Sequence, residues 1–140
     1  MEAYTAIEHH ELVVEKFGRW PNFHDGEVHR VVLDRLRRRP NGRYYASVEL
    51  QIRGWLITSE VDSEGHYKLK HDSVVHFLFE EVTELELYDL NQQNVISSLK
   101  IGKADDGLIL ELAPCYGLSG SFKARRGSVV AVMPYVEPAP

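Results

Sequence analysis

Four ionisable side chains crowd the stretch Trp20-Pro21-Asn22-Phe23-His24-Asp25-Gly26-Glu27-Val28-His29, and by type they are the residues of this chain best suited to chemistry. Imidazole nitrogens and carboxylate oxygens are the usual donors of zinc and manganese sites. Glu27 and His29 stand two apart, which would put both on one face of a strand, while His24 and Asp25 precede them on a turn, so three donors can in principle converge. The enzymatic reading is therefore a small metal-dependent hydrolase, or a metal-binding domain, using His24, Asp25, Glu27 and His29. Against it, the spacing matches no standard motif: the chain has no His-Glu-x-x-His, no Cys-x-x-Cys and no calcium loop. A structural reading of the same residues has Asp25 capping the turn, His24 hydrogen-bonded locally, and Trp20 and Phe23 inserted into the core. Residue type alone leaves the role of Trp20, Phe23, His24, Asp25 and Glu27 open.

Other catalytic sets are weaker. His9 and His10 are consecutive, so on a helix they point about 100° apart and cannot share a metal. His66, His71 and His76 are five apart and alternate faces on strands; His76, set in the apolar run Val74 to Phe79, reads as a satisfied core histidine. Cys115 lies between Pro114 and Tyr116 with no basic neighbour to lower its pKa, and no Gly-x-Ser-x-Gly elbow is present. Gly117-Leu118-Ser119-Gly120-Ser121 lacks the glycine offsets of a phosphate loop. Neither an enzyme nor a cofactor is expected.

The elements that would position these residues are mostly strands. Thr5-Ala6-Ile7-Glu8 has the form of a capping box, and Ala6, Val13 and Phe17 recur near helical period before Gly18, which predicts a helix over residues 6 to 17. Pro21 forbids continuation and turns the chain. Strands follow from Glu27 and from Tyr44 to Ile57, where Ala46, Val48, Leu50 and Ile52 alternate with polar residues, joined through the turn Pro40-Asn41-Gly42. Beyond the turn Asp62-Ser63-Glu64-Gly65, strands are expected at Tyr67 to Lys70, Val74 to Phe79, Val82 to Tyr88, Leu108 to Ala113, Gly117 to Phe122 and Val129 to Val132. Residues 91–101 can be read as a helical turn or a short strand. The fold class is α+β: one N-terminal helix packed on a mainly antiparallel sheet of about seven strands, forming a single domain over residues 1–136 with an extended tail at 137–140.

Length and composition set the outer limits. At 140 residues the chain can bury about two-thirds of its unfolded surface in a core of its own. No apolar run approaches the roughly 18 residues of a membrane span, and the N-terminus shows no signal-peptide pattern, so a soluble cytoplasmic protein is expected. The single cysteine excludes an internal disulfide and fits a reducing compartment. A net charge of −5 argues against general nucleic-acid binding. That charge is unevenly spread: Arg30 to Arg43 holds six arginines against Asp34, and Glu60 to Asn91 holds nine acids against Lys68 and Lys70. These segments are read either as solvated faces or as a charged face for an oppositely charged partner.

Three stretches together resemble a known family. Phe17-Gly18-Arg19-Trp20-Pro21-Asn22-Phe23-His24-Asp25-Gly26-Glu27-Val28, continuing to Leu33-Asp34-Arg35, resembles the N-terminal signature of the immunity protein 50 family, in which a Trp-Pro-Ser-Phe-His-Asp-Ala-Glu-like run leads into the first strand. Asn22 here replaces the serine and Gly26 the alanine. Phe79 to Ile101, with Leu85-Glu86-Leu87 and Asn91-Gln92-Gln93-Asn94-Val95-Ile96, and Tyr116-Gly117-Leu118-Ser119-Gly120-Ser121-Phe122 are similar to later parts of that family. The resemblance implies a bacterial cytoplasmic protein of α+β fold that binds and neutralises a cognate toxin of a polymorphic toxin system, without catalysis. If that toxin is a basic nuclease, the acidic residues Glu60, Asp62, Glu64, Glu80, Glu81, Glu84, Glu86 and Asp89 are the expected contact. The sequence assigns no membrane or nucleic-acid partner and leaves the oligomeric state open.

Overall fold

The computed structural model describes residues 2–137, with the side chains of Ile57 and Thr58 left out; Met1 and the tail residues Pro138 to Pro140 lie outside the described residues. A single-turn 3-10 helix, Ala3–Ala6, and one α-helix, α1 (Glu11–Phe17), precede six strands: β1 (Glu27–Arg38), β2 (Tyr44–Val61), β3 (Tyr67–Tyr88), β4 (Val95–Ala104), β5 (Gly107–Tyr116) and β6 (Ser119–Pro134). The strands pair antiparallel in the order β1-β2-β3-β6-β5-β4, and β1 meets β4 to close a barrel. The neighbourhood β4-β1-β2-β3 is a Greek-key arrangement, and closure joins the two edge strands at one end only, where Glu27 pairs with Val95.

The mainly antiparallel sheet and the single helix are as the sequence patterns predict, but the segmentation differs. The segments Tyr67 to Lys70, Val74 to Phe79 and Val82 to Tyr88 are one continuous strand, β3, and of the expected strand Gly117 to Phe122 the part from Ser119 joins Val129 to Val132 within β6. The expected strand ends at residues 71–73 and 80–81 are irregular positions inside this strand: His71 and Glu81 stand at φ 59° and 55°, and the pairing with β2 shifts register between Gly54 and Leu56, opposite Ser73 and Lys70. The ambiguous residues Val95 to Ile101 belong to β4. The turns fall where expected: Gly42 donates its N–H to Arg39, Gly65 donates to Asp62, and Gly107 begins β5.

The helix is shorter than its capping box predicts. Glu8 exchanges backbone hydrogen bonds with β6, its N–H to the Gly127 carbonyl and its carbonyl to the Val129 N–H, both at 2.8 Å, and this parallel bridge holds Ile7 extended and fully buried. Thr5 Oγ1 donates to the Glu2 carbonyl and caps no α-helix. A strand pairing that buries Ile7 outweighs a cap contributing about 1 kcal/mol. The far end matches expectation: Gly18, at φ 82°, donates its N–H to Val14 and ends the helix in the left-handed conformation that glycine adopts without strain.

Val48, Leu50 and Ile52 of β2, Val75, Phe77 and Phe79 of β3, and Leu108, Leu110 and Leu112 of β5 point inward and form the core with Phe122 and Val129 of β6. The same alternation turns His76 outward, between inward Val75 and Phe77, where it meets Glu49 at 3.0 Å; it is satisfied, but it is a wall residue and not a core histidine.

Closure depends on a short seam. Glu27 pairs with Val95; the Val28 N–H donates to the Asn94 carbonyl at 2.8 Å and the Ile96 N–H to the Gly26 carbonyl at 2.9 Å. Buried Asn94 organises the loop behind this seam: its Oδ1 accepts the N–H groups of Asn91 and Leu118, and its Nδ2 donates to the Asn91 carbonyl. Replacing Asn94 with alanine strips three hydrogen bonds and leaves a buried Leu118 N–H without its acceptor. Asn94→Ala is expected to lower stability by about 2–3 kcal/mol, read as a fall in denaturant midpoint at unchanged slope.

Candidate functional site

Trp20 to His29 runs from α1 into β1, and its backbone is what joins the barrel ends. Pro21 ends helical geometry, Asn22 Oδ1 accepts the His24 N–H at 2.8 Å, and the Gly26 N–H returns to the Phe23 carbonyl at 2.8 Å, giving a tight turn with Phe23 and Asp25 at positive φ. Asn22, and not Asp25, is therefore the capping side chain. The outer edge of β4 is covered by the same turn: the Leu99 N–H donates to the Asn22 carbonyl at 3.1 Å, and His24 Nδ1–H donates to the Ser97 carbonyl at 3.0 Å.

The aromatics act as expected in the structural reading. Phe23 is fully buried, edge-on to Phe17 and Phe77, and the contacts continue through Phe79 to Phe122. Its ring lies against β2, where a Cβ on Gly54 would come within 2.8 Å of it. Trp20 is half-buried, stacked on Tyr4 at 4.8 Å. Gly26 has equally little room: a Cβ there would sit 2.7 Å from the Phe23 carbonyl oxygen and 3.0 Å from that of Arg53. The glycine that replaces the resembled family's alanine is thus required by this chain's own turn.

The four candidate metal donors separate into two pairs. His24 Nε2 is 3.5 Å from Asp25 Oδ2, with more than half of the histidine exposed, and His29 Nε2 is 3.9 Å from Glu27 Oε1. A bulge between Val28 and Arg30 shifts the register beside His29. Among the described residues no three His, Cys, Asp or Glu side chains come together as a metal-binding group. Glu27 instead stands beside Arg53, which forks onto Asp72 at 2.9 and 2.7 Å and lies 3.6 Å from the Tyr135 ring centroid; the hydrogen bond to Asp72 raises the Arg53 pKa further. The ion pair joins β2 to β3, and the ring contact, with the Tyr135 N–H donating to the Asp72 carbonyl at 3.0 Å, holds the residue just past β6 against them.

The acidic residues expected to meet a partner fall into three places. Glu60 lies near the end of β2, and Asp62 and Glu64 on the β2–β3 turn, where Asp62 Oδ1 accepts the N–H groups of Glu64 and His66 and Glu64 stands 3.8 Å from His66. Glu80 and Glu81, near the middle of β3, are drawn into the barrel's own ion pairs. Glu81 pairs with Arg39 and, at 3.1 Å, with Arg126; Glu80 accepts the Tyr45 hydroxyl at 2.6 Å and lies 3.6 Å from Arg126. The hydrogen bond to Glu80 is the main reason the Tyr45 hydroxyl titrates above its usual range. With the Glu81 side chain only 10% exposed, these two acids are not available as an outward contact. Arg39, just past β1, and Arg126 of β6 thus neutralise Glu80 and Glu81 of β3, residues far apart in sequence.

Glu84, Glu86 and Asp89, at the end of β3, remain exposed. Here the bulge with Glu84 at φ 52° overturns the strict alternation read from Val82 to Tyr88: Val82 and Leu87 pack on the core, while Leu85 is turned out to 39% exposure. Leu85 and Ile109 share a shallow groove of about 420 Å³ with Glu84, Glu86 and Lys123, and Lys123 reaches Glu84 at 2.8 Å. Sequence reasoning missed both the Glu81 ion pairs and the outward turn of Leu85, because each depends on strand register and has no local signature.

Comparison of the chain with protein-family models, curated proteins and solved structures finds no match. Among the described residues no helix is long and apolar enough to cross a membrane.

Two substitutions separate seam from site. Gly26→Ala is expected to lower stability by about 1–3 kcal/mol through forced backbone displacement, measured by denaturant unfolding. His24→Ala, at an exposed hydrogen bond, should lower it by only about 0.5–1 kcal/mol, and metal content measured on the purified variant should equal that of the parent.

Proposed function

We propose that this chain is an immunity protein: it binds a cognate bacterial toxin in the cytoplasm and neutralises it by occupying its surface, with no catalysis and no cofactor. The observation that carries the reading is the Leu85–Ile109 groove. It offers two exposed aliphatic side chains on rigid, paired strands, rimmed by Glu84 and Glu86. An apolar patch with a polar rim, on an element that need not reorganise, is the arrangement expected of a protein-binding surface.

The resemblance supports the same reading from another side. Its three stretches meet at one place: Gly26 and Val28 bond to Ile96 and Asn94, and Asn94 bonds to Leu118. Part of each family-like stretch therefore builds the barrel seam, while Leu85 and Glu86, in the second of them, border the groove. The contact set narrows from the whole acidic segment to Glu84, Glu86 and Asp89 with Leu85 and Ile109; Glu80 and Glu81 are withdrawn from it because the barrel's own arginines hold them. A toxin with a basic face, such as a nuclease, has the complementary charge.

The test is co-expression with the toxin domain encoded by the neighbouring gene, followed by binding kinetics. The parent chain should restore growth. The double variant Glu84→Lys/Glu86→Lys should associate about tenfold more slowly at low salt, the difference shrinking as salt rises. Absence of protection by the parent, or an unchanged association rate in the variant, would contradict the reading.

A further inference from the structure

The arginines of the β1–β2 turn fold toward Arg125 and Arg126 of β6, and a surface cleft of about 570 Å³ separates the two groups. Arg38, Arg39, Arg125 and Arg126 line it together with Asn41 and Tyr45, and the single carboxylate in its walls is Glu81. Glu81 is shared by Arg39 and Arg126, and Glu80 stands behind Arg126 at 3.6 Å. Four guanidiniums against two carboxylates leave two positive charges that the cleft does not neutralise itself.

The uncompensated charge can be assigned to residues. Arg38 lies over the Tyr44 ring at 4.8 Å and donates to the Tyr44 hydroxyl, but no carboxylate pairs with it among the described residues. Arg125 is exposed and likewise forms no ion pair among the described residues. Arg39 Nε–H is buried without an acceptor, so its donor set is not exhausted by Glu81. Holding like charges around one concavity is unfavourable in the free protein, and an anion that enters relieves it.

We propose that this cleft binds a compact polyphosphate group, of the kind carried by inorganic tripolyphosphate and by nucleoside triphosphates. Guanidinium forks match phosphate oxygens bidentately, and a short phosphate chain presents several charges within the span of one cleft, which a lone carboxylate does not. The cleft is within the size range of small-ligand sites. A compact anion is favoured over a long nucleic acid by what lies next to it. Arg39, Glu81 and Arg125 also border a neighbouring recess of about 390 Å³ that contains Asp105 and Asp106 along with Lys123, itself paired with Glu84, and a polyanion running on from the arginines would meet those two carboxylates. This site is separate from the Leu85–Ile109 groove and stands or falls independently of toxin binding.

Calorimetric titration of the full chain with tripolyphosphate, with ATP and with inorganic phosphate tests it. Tripolyphosphate should bind saturably at one site and raise the melting temperature, and inorganic phosphate should bind at least about tenfold more weakly. Arg38→Ala and Arg125→Ala, neither of which holds Glu81, should keep the parent near-ultraviolet circular dichroism and each weaken tripolyphosphate by about tenfold; Arg125→Lys should retain part of the affinity. Equal affinity for ATP and tripolyphosphate would assign the whole site to the phosphate chain, and tighter ATP would add a nucleoside contact. Three results would overturn the proposal: no saturable binding at about millimolar ligand, affinity unchanged in both alanine variants, or tighter binding of a single-stranded oligonucleotide or an acidic peptide than of tripolyphosphate.

Discussion

A six-stranded sheet has two terminal strands, and this one becomes a barrel only because β1 and β4 are held together at Glu27 and Val95. Few backbone hydrogen bonds cross that junction, so the groups that fix its geometry carry disproportionate weight. They are Asn94 behind the seam, the tight turn from Phe23 to Gly26 in front of it, and Phe23 itself, whose buried ring ties the turn to β2 and β3. The density of unusual residues between Trp20 and His29 follows from this constraint. A turn that must bury an aromatic, admit no Cβ at one position and donate to a neighbouring strand edge needs proline, asparagine, phenylalanine, histidine and glycine in close succession.

Charge shows the same economy. The chain separates its arginines from its acids in sequence, and folding brings part of each together again, with Arg39 and Arg126 on Glu81 and Arg53 on Asp72. What is left over on the surface is then specific in place: exposed acids beside Leu85 and Ile109, and exposed arginines at Arg38 and Arg125. These two surfaces of opposite sign are the ones on which the proposed toxin and polyphosphate contacts rest, and paired strands keep their charges in position.

Much of the fold was legible in the sequence where the signal is local. Gly18 ends α1, Asn41-Gly42 and Glu64-Gly65 turn hairpins, and the alternation from Val48 to Ile52 marks a half-buried strand. Non-local pairing was not legible. Glu8 leaves a sound capping box to bridge β6, the residues around His71 and Glu81 inside β3 look like strand ends, and nothing in the residues themselves announces that Val28 will meet Asn94. The candidate site divides in the same way. The structural reading of Trp20 to His29 could be formed from residue types, whereas the separation of His24 and Asp25 from Glu27 and His29, and the loss of Glu80 and Glu81 to internal arginines, are consequences of register.

Native-state hydrogen exchange on the amides of Val28, Ile96 and Leu118 tests the central claim, that Trp20 to His29 and the Asn94 loop form the closing seam of the barrel. These three N–H groups bond to Asn94, Gly26 and Asn94 respectively. If the seam is integral to the fold, they exchange only through global unfolding, with protection equal to that of Leu50 and Phe77 in the core. Exchange of all three through a low-energy local opening, while the core amides stay protected, would contradict the account and return the segment to the status of a mobile loop free to act as a site.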